Sequence, residues 1–202
     1  MQDRAFRLDF FIAVAALLVS ALTAGTLIYQ THVIGAQYSA TIWPYLSVTY
    51  SYDVDGETID LVNDGLGPAL IRSAQLSIDG KDTPAWNDYF RTLLANPLIR
   101  KFFVKALKEK APQISAASIG PSATLRPDET LRLFELKLPG LTMPEVVKYV
   151  ANHDITLRFC YCSLNGSCWD ETTSTESGAA PPTPVSQCSS SASIKAYIYG
   201  QT

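Results

Sequence analysis

Residues Phe10 to Tyr29 are twenty consecutive positions without a charged side chain, FFIAVAALLVSALTAGTLIY. An α-helix needs roughly 20 apolar residues to cross the hydrocarbon core of a bilayer, since each residue advances it by about 1.5 Å. A transmembrane helix over 10–29 is therefore expected. The apolar part of a secretory signal is shorter, about 7 to 15 residues, and ends in an A-x-A-like site. The nearest approaches, Leu22-Thr23-Ala24 and Thr23-Ala24-Gly25, lack small residues at both key positions, which favours an anchor over a cleaved leader. A core helix of a soluble domain would need protein on every face to cover so uniformly apolar a surface.

Charge near the run gives its orientation. Arg4 and Arg7 precede it, and no Lys or Arg follows until Arg72. Basic residues stay on the cytoplasmic side, so 1–9 is expected in the cytoplasm, 30–39 as a juxtamembrane linker, and 40–202 as a domain on the opposite face. In a bacterium this means the inner (cytoplasmic) membrane with a periplasmic domain. Tyr29, Tyr38 and Trp43 flank the span, where amphipathic rings favour the membrane interface. Trp43 begins a Trp-Pro strand start and is also read as packing inward.

Four cysteines, Cys160, Cys162, Cys168 and Cys188, fall in the last quarter of the chain. An even number in an exported domain points to disulfides. Cys160 and Cys162 are two apart on an expected strand, so their side chains share a face without converging. The preferred pairing is Cys162 with Cys168 across the Asn165-Gly166 turn and Cys160 with Cys188. A two-residue Asn-Gly hairpin sets Ser163, not Cys162, opposite Cys168, so this pairing requires a longer loop or a bulge. The C-x-C, x5, C, x19, C spacing fits zinc poorly, and the C-x-x-C redox motif is absent.

Between span and cysteines the chain reads as strands framing a helical insert. Trp43 to Asp53 is rich in Tyr, Val and Thr, and Glu57 to Asn63 alternates polar and apolar positions, so the two form a hairpin across Asp53-Val54-Asp55-Gly56. Leu70 to Ile78 is a third strand. Before it, Gly65-Leu66-Gly67 lacks a following helix, which argues against a phosphate loop and for a tight connection using positive φ. Thr83-Pro84 and Asn96-Pro97 are N-cap and N1 signals for two helices within 84–110. The second carries Leu98, Ile99, Phe102, Phe103, Ala106 and Leu107 on a stripe, with Arg100, Lys101, Lys105, Lys108 and Lys110 elsewhere. That pattern suits a helix on a sheet with a solvated basic back, or contact with anionic headgroups or an acidic partner.

Ser115 to Ile119, Leu131 to Leu138, Asp154 to Ser163 and Ser193 to Tyr199 are expected strands, and Met143 to Asn152 a short helix after a Thr142-Met143-Pro144-Glu145 capping box. Glu171 to Ser191 is rich in Ser, Thr, Pro and Ala and is read as an exposed loop pinned by Cys188.

The run LVNDGLGPALIRSAQLSIDGK resembles the strand, Asn-x-Gly turn, strand pattern of Ig-like bacterial surface modules of the CARDB type. Together with the N-terminal span, Trp43-Pro44-Tyr45-Leu46 and the Cys160-Tyr161-Cys162-Ser163 to Cys168-Trp169 hairpin, the chain is similar to uncharacterised bacterial single-pass membrane proteins. The resemblance implies a mainly β, Ig-like sandwich outside the cytoplasm and assigns no catalytic residues.

Chemical signatures are sparse. His153 has Asp154 beside it, too close in sequence to orient its ring, and no G-x-S-x-G elbow exists. Asp53, Asp55, Glu57 and Asp60 lack the calcium-loop spacing and are read as a solvated turn. A net charge of −3 argues against general nucleic-acid binding. The expectation is a non-catalytic accessory or scaffolding subunit of a membrane or cell-envelope complex, contacting lipid and membrane-protein partners and needing no cofactor or metal. The alternatives are an envelope thiol or hydrolytic enzyme, through Cys160 and Cys162 or His153, and a ligand-binding sensor.

Overall fold

The computed structural model describes residues 2–53, 56–109, 112–138, 153–175, 178–189 and 192–196. The chain divides into two compact units, 1–41 and 42–202. The first is one helix, α1 (Gln2–Thr41). Within it, Phe11–Ser39 has no buried residue and contains an 18-residue window with a mean hydropathy of 2.3, long and apolar enough to cross a membrane. At about 1.5 Å per residue these 29 residues extend roughly 43 Å. Its few hydroxyls do not break the apolar surface: those of Ser20, Thr23 and Thr31 donate to the carbonyls of Ala16, Val19 and Leu27, four residues back. Residues 30–39, expected as a linker, continue the helix instead. Neither Pro nor a capping motif stands between Tyr29 and Thr41, so nothing in the local chemistry stops it.

The second unit is mainly β, built from antiparallel pairs. One sheet runs in the order β1 (Leu46–Asp53), β2 (Gly56–Asn63), β7 (Thr130–Lys137), β5 (Gln113–Ala116). The other runs β10 (Gly178–Ala179), β9 (Cys168–Ser174), β8 (Ile155–Cys162), β3 (Ala69–Ile78), β4 (Lys81–Thr83). Short strands β6 (Thr124–Leu125) and β11 (Thr183–Val185) pair with β3 and β9. Alternation fixes which faces are covered: Ile59, Leu61 and Asn63 of β2 are all fully buried, as are Leu76, Leu157 and Tyr161 in the second sheet. Both sheets and two helices contribute to one hydrophobic cluster.

Those helices are α2 (Trp86–Ala95) and α3 (Pro97–Glu109). Asn96 caps α3, its Oδ1 accepting from the Leu98 and Ile99 amides. The expected cap at Thr83 is not used. Thr83 ends β4 and its hydroxyl donates to the Leu76 carbonyl, so α2 begins after an extended Ala85 with no side-chain cap. Packing anchors it instead: the Trp86 ring stacks on Phe134 with centroids 5.6 Å apart, Tyr89 meets Phe134 edge-on at 5.0 Å, and Trp86 Nε1 donates to the Ala117 carbonyl.

Two further expectations change. The stretch from Glu171 is not all loop: β9 reaches Ser174 with Glu171, Thr173 and Ser174 buried, and β10 and β11 lie beyond. Its β-branched threonines outweigh the turn-like composition once β8 supplies a partner. The final segment contributes bridges at Ile194 and Lys195 among the described residues. Met143 to Asn152 and residues 197–199 lie outside those described.

Candidate functional site

The cysteines gather where β8 turns into β9. Leu164, Asn165 and Gly166 form a three-residue loop between Ser163 and Ser167, with Gly166 at φ +86°. The Ser163 amide donates to the Ser167 carbonyl, so Cys162 and Cys168 face each other at the next, non-hydrogen-bonded site, where antiparallel strands approach most closely. The extra loop residue supplies the register that a two-residue turn denies. Cys162 is joined to Cys168 and Cys160 to Cys188, with Cα separations of 4.0 and 5.7 Å. With their sulfurs in disulfides, the four cysteines offer no thiolate to a metal in this oxidised form.

A cleft of about 510 Å³ opens beside them, lined by Leu70, Arg72, Leu164 and three of the cysteines. Arg72 stands at a register irregularity of β3 against β8, between Ile71 and Ser73. Such bulges re-aim a side chain. On the other side, Arg158 holds Asp170 in a two-pronged ion pair, which also keeps the guanidinium pKa raised.

An aromatic group marks the start of the same unit. Trp43 packs on Tyr45 and Trp169, and Trp169 stacks on Tyr161, with centroids 6.0 to 6.4 Å apart. Trp43 is 44% exposed, so the inward-packing expectation is corrected: its ring closes the outer end of the stack. Beneath lies Asn63, fully buried. Its Oδ1 accepts from the Tyr45 and Gly65 amides, and its Nδ2 donates to the Gly67 and Leu125 carbonyls. Gly65 and Gly67 are required for close approach, not positive φ. A Cβ on Gly65 would stand 2.3 Å from the Tyr45 nitrogen, and one on Gly67 2.1 Å from the Ile42 carbonyl oxygen.

Among the described residues two glutamates are buried. Glu57, expected in a solvated turn, is 1% exposed and accepts a 2.5 Å hydrogen bond from the Tyr89 hydroxyl. Desolvation outweighs that bond and pushes its carboxyl up to about 7, while burial and the nearby carboxyl drive Tyr89 well above the usual phenol range. Glu171 accepts from Tyr161, and burial likewise raises it to about 7. Sequence position held the signal: Glu57 is in phase with Ile59, Leu61 and Asn63, all on the covered face.

The remaining expected positions are dispersed. Arg4 and Arg7 lie in the opening turns of α1, and Tyr29 and Tyr38 are exposed further along it. Lys101, Lys105 and Lys108 are exposed on α3, where Ile99 and Ala106 form the buried face. Leu98 and Leu107 of the expected apolar stripe are exposed instead, flanking the lysines. Lys110 lies outside the described residues. His153 is oriented not by Asp154 but by Asp79 from the β3–β4 turn, Nδ1 to Oδ2 at 2.8 Å, a bond that lowers the Asp79 pKa. Asp79 also accepts from the Asp154 amide, so the pair fastens that turn to the start of β8.

No protein family, curated protein or solved structure matches this chain.

Proposed function

We propose that this chain is a membrane-anchored accessory or scaffolding subunit, held by α1 and presenting a disulfide-braced domain outside the cytoplasm. The observation that carries the reading is the pairing of an unburied 29-residue apolar helix with a separate β unit that has both of its cysteine pairs in disulfides. An anchor explains the first and an oxidising compartment the second. Arg4 and Arg7, ahead of the apolar stretch of α1, support a cytoplasmic N-terminus. In a bacterium this is the inner membrane, with a periplasmic domain.

An Ig-like architecture for that domain is supported by strand order. Labelled A to G, the first sheet reads A-B-E-D and the second C′-C-F-G, with α2 and α3 occupying the C′-to-D connection. CARDB-type bacterial modules are the kind of domain this suggests. The basic face of α3, with Arg100, Lys101 and Lys108 exposed, suits anionic lipid headgroups at the membrane to which α1 would tether it. No catalytic role is assigned.

The test is purification of the full chain in mild detergent beside a form lacking residues 1–41. A stoichiometric membrane-protein partner retained by the first and lost by the second is expected. A full chain that remains alone at every detergent and salt condition contradicts the subunit reading.

A further inference from the structure

The cleft beside the β8–β9 turn has a property that bracing alone does not require. The Sγ atoms of Cys162, Cys168 and Cys188 all lie within 4.8 Å of one another, although Cys188 is bonded to Cys160. Cys160, Cys162 and Cys168 are buried at 5 to 8% exposure, whereas Cys188, on the segment after β11, is half-buried. Arg72 lines the cleft with Cys188, and a neighbouring cation favours a thiolate over a thiol. Cys160, 6% exposed, lines instead a smaller pocket of about 90 Å³ with Arg158 and Asp170.

We propose that this cleft is a thiol–disulfide exchange site for a reduced dithiol, with Cys188 as the sulfur that passes between the two bridges. A thiolate of the dithiol attacks Cys188 Sγ. The bond to Cys160 breaks, its electron pair leaves on the Cys160 sulfur, and a mixed disulfide joins the dithiol to Cys188. The second thiolate of the dithiol then attacks its own sulfur in that bond, closing an oxidised ring and expelling Cys188 as a thiolate. Two electrons have passed from the dithiol to the protein, and the two protons of the dithiol are left for Cys160 and Cys188. Cys188 now stands within reach of both sulfurs of the remaining bridge. Attack on Cys162 expels Cys168, and attack on Cys168 expels Cys162. This second exchange consumes no further electrons, so one remaining disulfide migrates among three sulfurs.

The experiment uses the full chain in detergent and dithiothreitol as the dithiol. Reduction is stopped by acid when molecules with two free thiols predominate, the thiols are blocked with N-ethylmaleimide, and the surviving bridges are mapped by mass spectrometry. Chymotrypsin, which cuts after aromatic residues, separates Cys160 from Cys162 at Tyr161. Bridges from Cys188 to Cys162 or Cys168 are expected beside Cys162–Cys168. Finding only the two original bridges overturns the proposal. A Cys160→Ser variant gives a second reading without reductant, because it leaves Cys188 as the one unpaired sulfur. In folded variant, confirmed by near-ultraviolet circular dichroism, the free thiol is expected to distribute over Cys188, Cys162 and Cys168, and its confinement to Cys188 overturns the exchange. If the variant does not fold, the wild-type mapping decides.

Discussion

Replacing Glu57 by Gln removes a titrating proton from the interior while keeping an oxygen to accept from Tyr89. The folded chain holds that proton up to about 7, against 4.5 for an ordinary glutamate. Between those values the unfolded state binds fewer protons than the folded one, so stability falls as pH rises. The contribution is fully present below about pH 4.5 and lost as pH passes through about 7. A difference of 2 to 3 pKa units at about 1.4 kcal/mol each gives roughly 3 kcal/mol. For a unit of this size 1 kcal/mol moves Tm by about 2 to 4 °C, so the effect is roughly 6 to 12 °C. The groups bearing on Glu57, namely Tyr50 and Tyr52 of β1 and Tyr89 of α2, have phenol pKa values raised by burial, that of Tyr52 to about 12, and stay neutral throughout. Glu171 adds a slope of the same sign to both proteins and cancels in the comparison. Thermal melts of wild type and E57Q between pH 4 and 8 are the assay. The wild type is expected to lose about 10 °C relative to the variant across that range. Parallel curves, or a wild type that gains on the variant as pH rises, would show that the folded chain does not hold the Glu57 proton.

Asn63→Ala breaks four side-chain hydrogen bonds and leaves their partners around a buried site, a loss of roughly 3 to 5 kcal/mol in denaturant titration. Asn63→Asp does not restore it, because a carboxylate cannot donate to the Gly67 and Leu125 carbonyls; a change below about 1 kcal/mol in either variant counts against this role. Cys188→Ser opens a bridge spanning 28 residues and is expected to cost about 2 to 5 kcal/mol, read as a lower denaturation midpoint. In lipid nanodiscs, amide exchange over 97–109 is expected to slow when anionic lipid replaces zwitterionic lipid, and equal exchange in both sinks the headgroup contact.

Strong periodicity carried much of the fold. β2, β3, β7 and β8 stand within a residue or two of their expected bounds, because one covered face imposes alternation on each. Asn96-Pro97 marked α3 for a local reason, a side chain capping its own helix. Thr83 failed as a cap because a strand partner, invisible in local sequence, took its hydroxyl. The same nonlocal effect made β9 out of threonines that composition assigns to a loop. At the candidate site strand geometry spoke only against a Cys160–Cys162 bridge, and the preferred pairing needed the longer loop that the structure has; Arg72 at its bulge and the proximity of Cys188 to the other bridge depend on how β3, β8 and the segment after β11 meet. Glu57 was legible by its phase and obscured by its charge, since a carboxylate beside a turn is ordinarily solvated.

The intact mass, without reductant, of the full chain recovered from alkali-washed membranes of expressing cells tests anchorage and compartment together. The expected protein keeps its N-terminal helix, is four hydrogens lighter than the reduced chain because of its two disulfides, and takes up no alkylating reagent. A species lacking the apolar segment, or a full-length chain alkylated at all four cysteines, would contradict it.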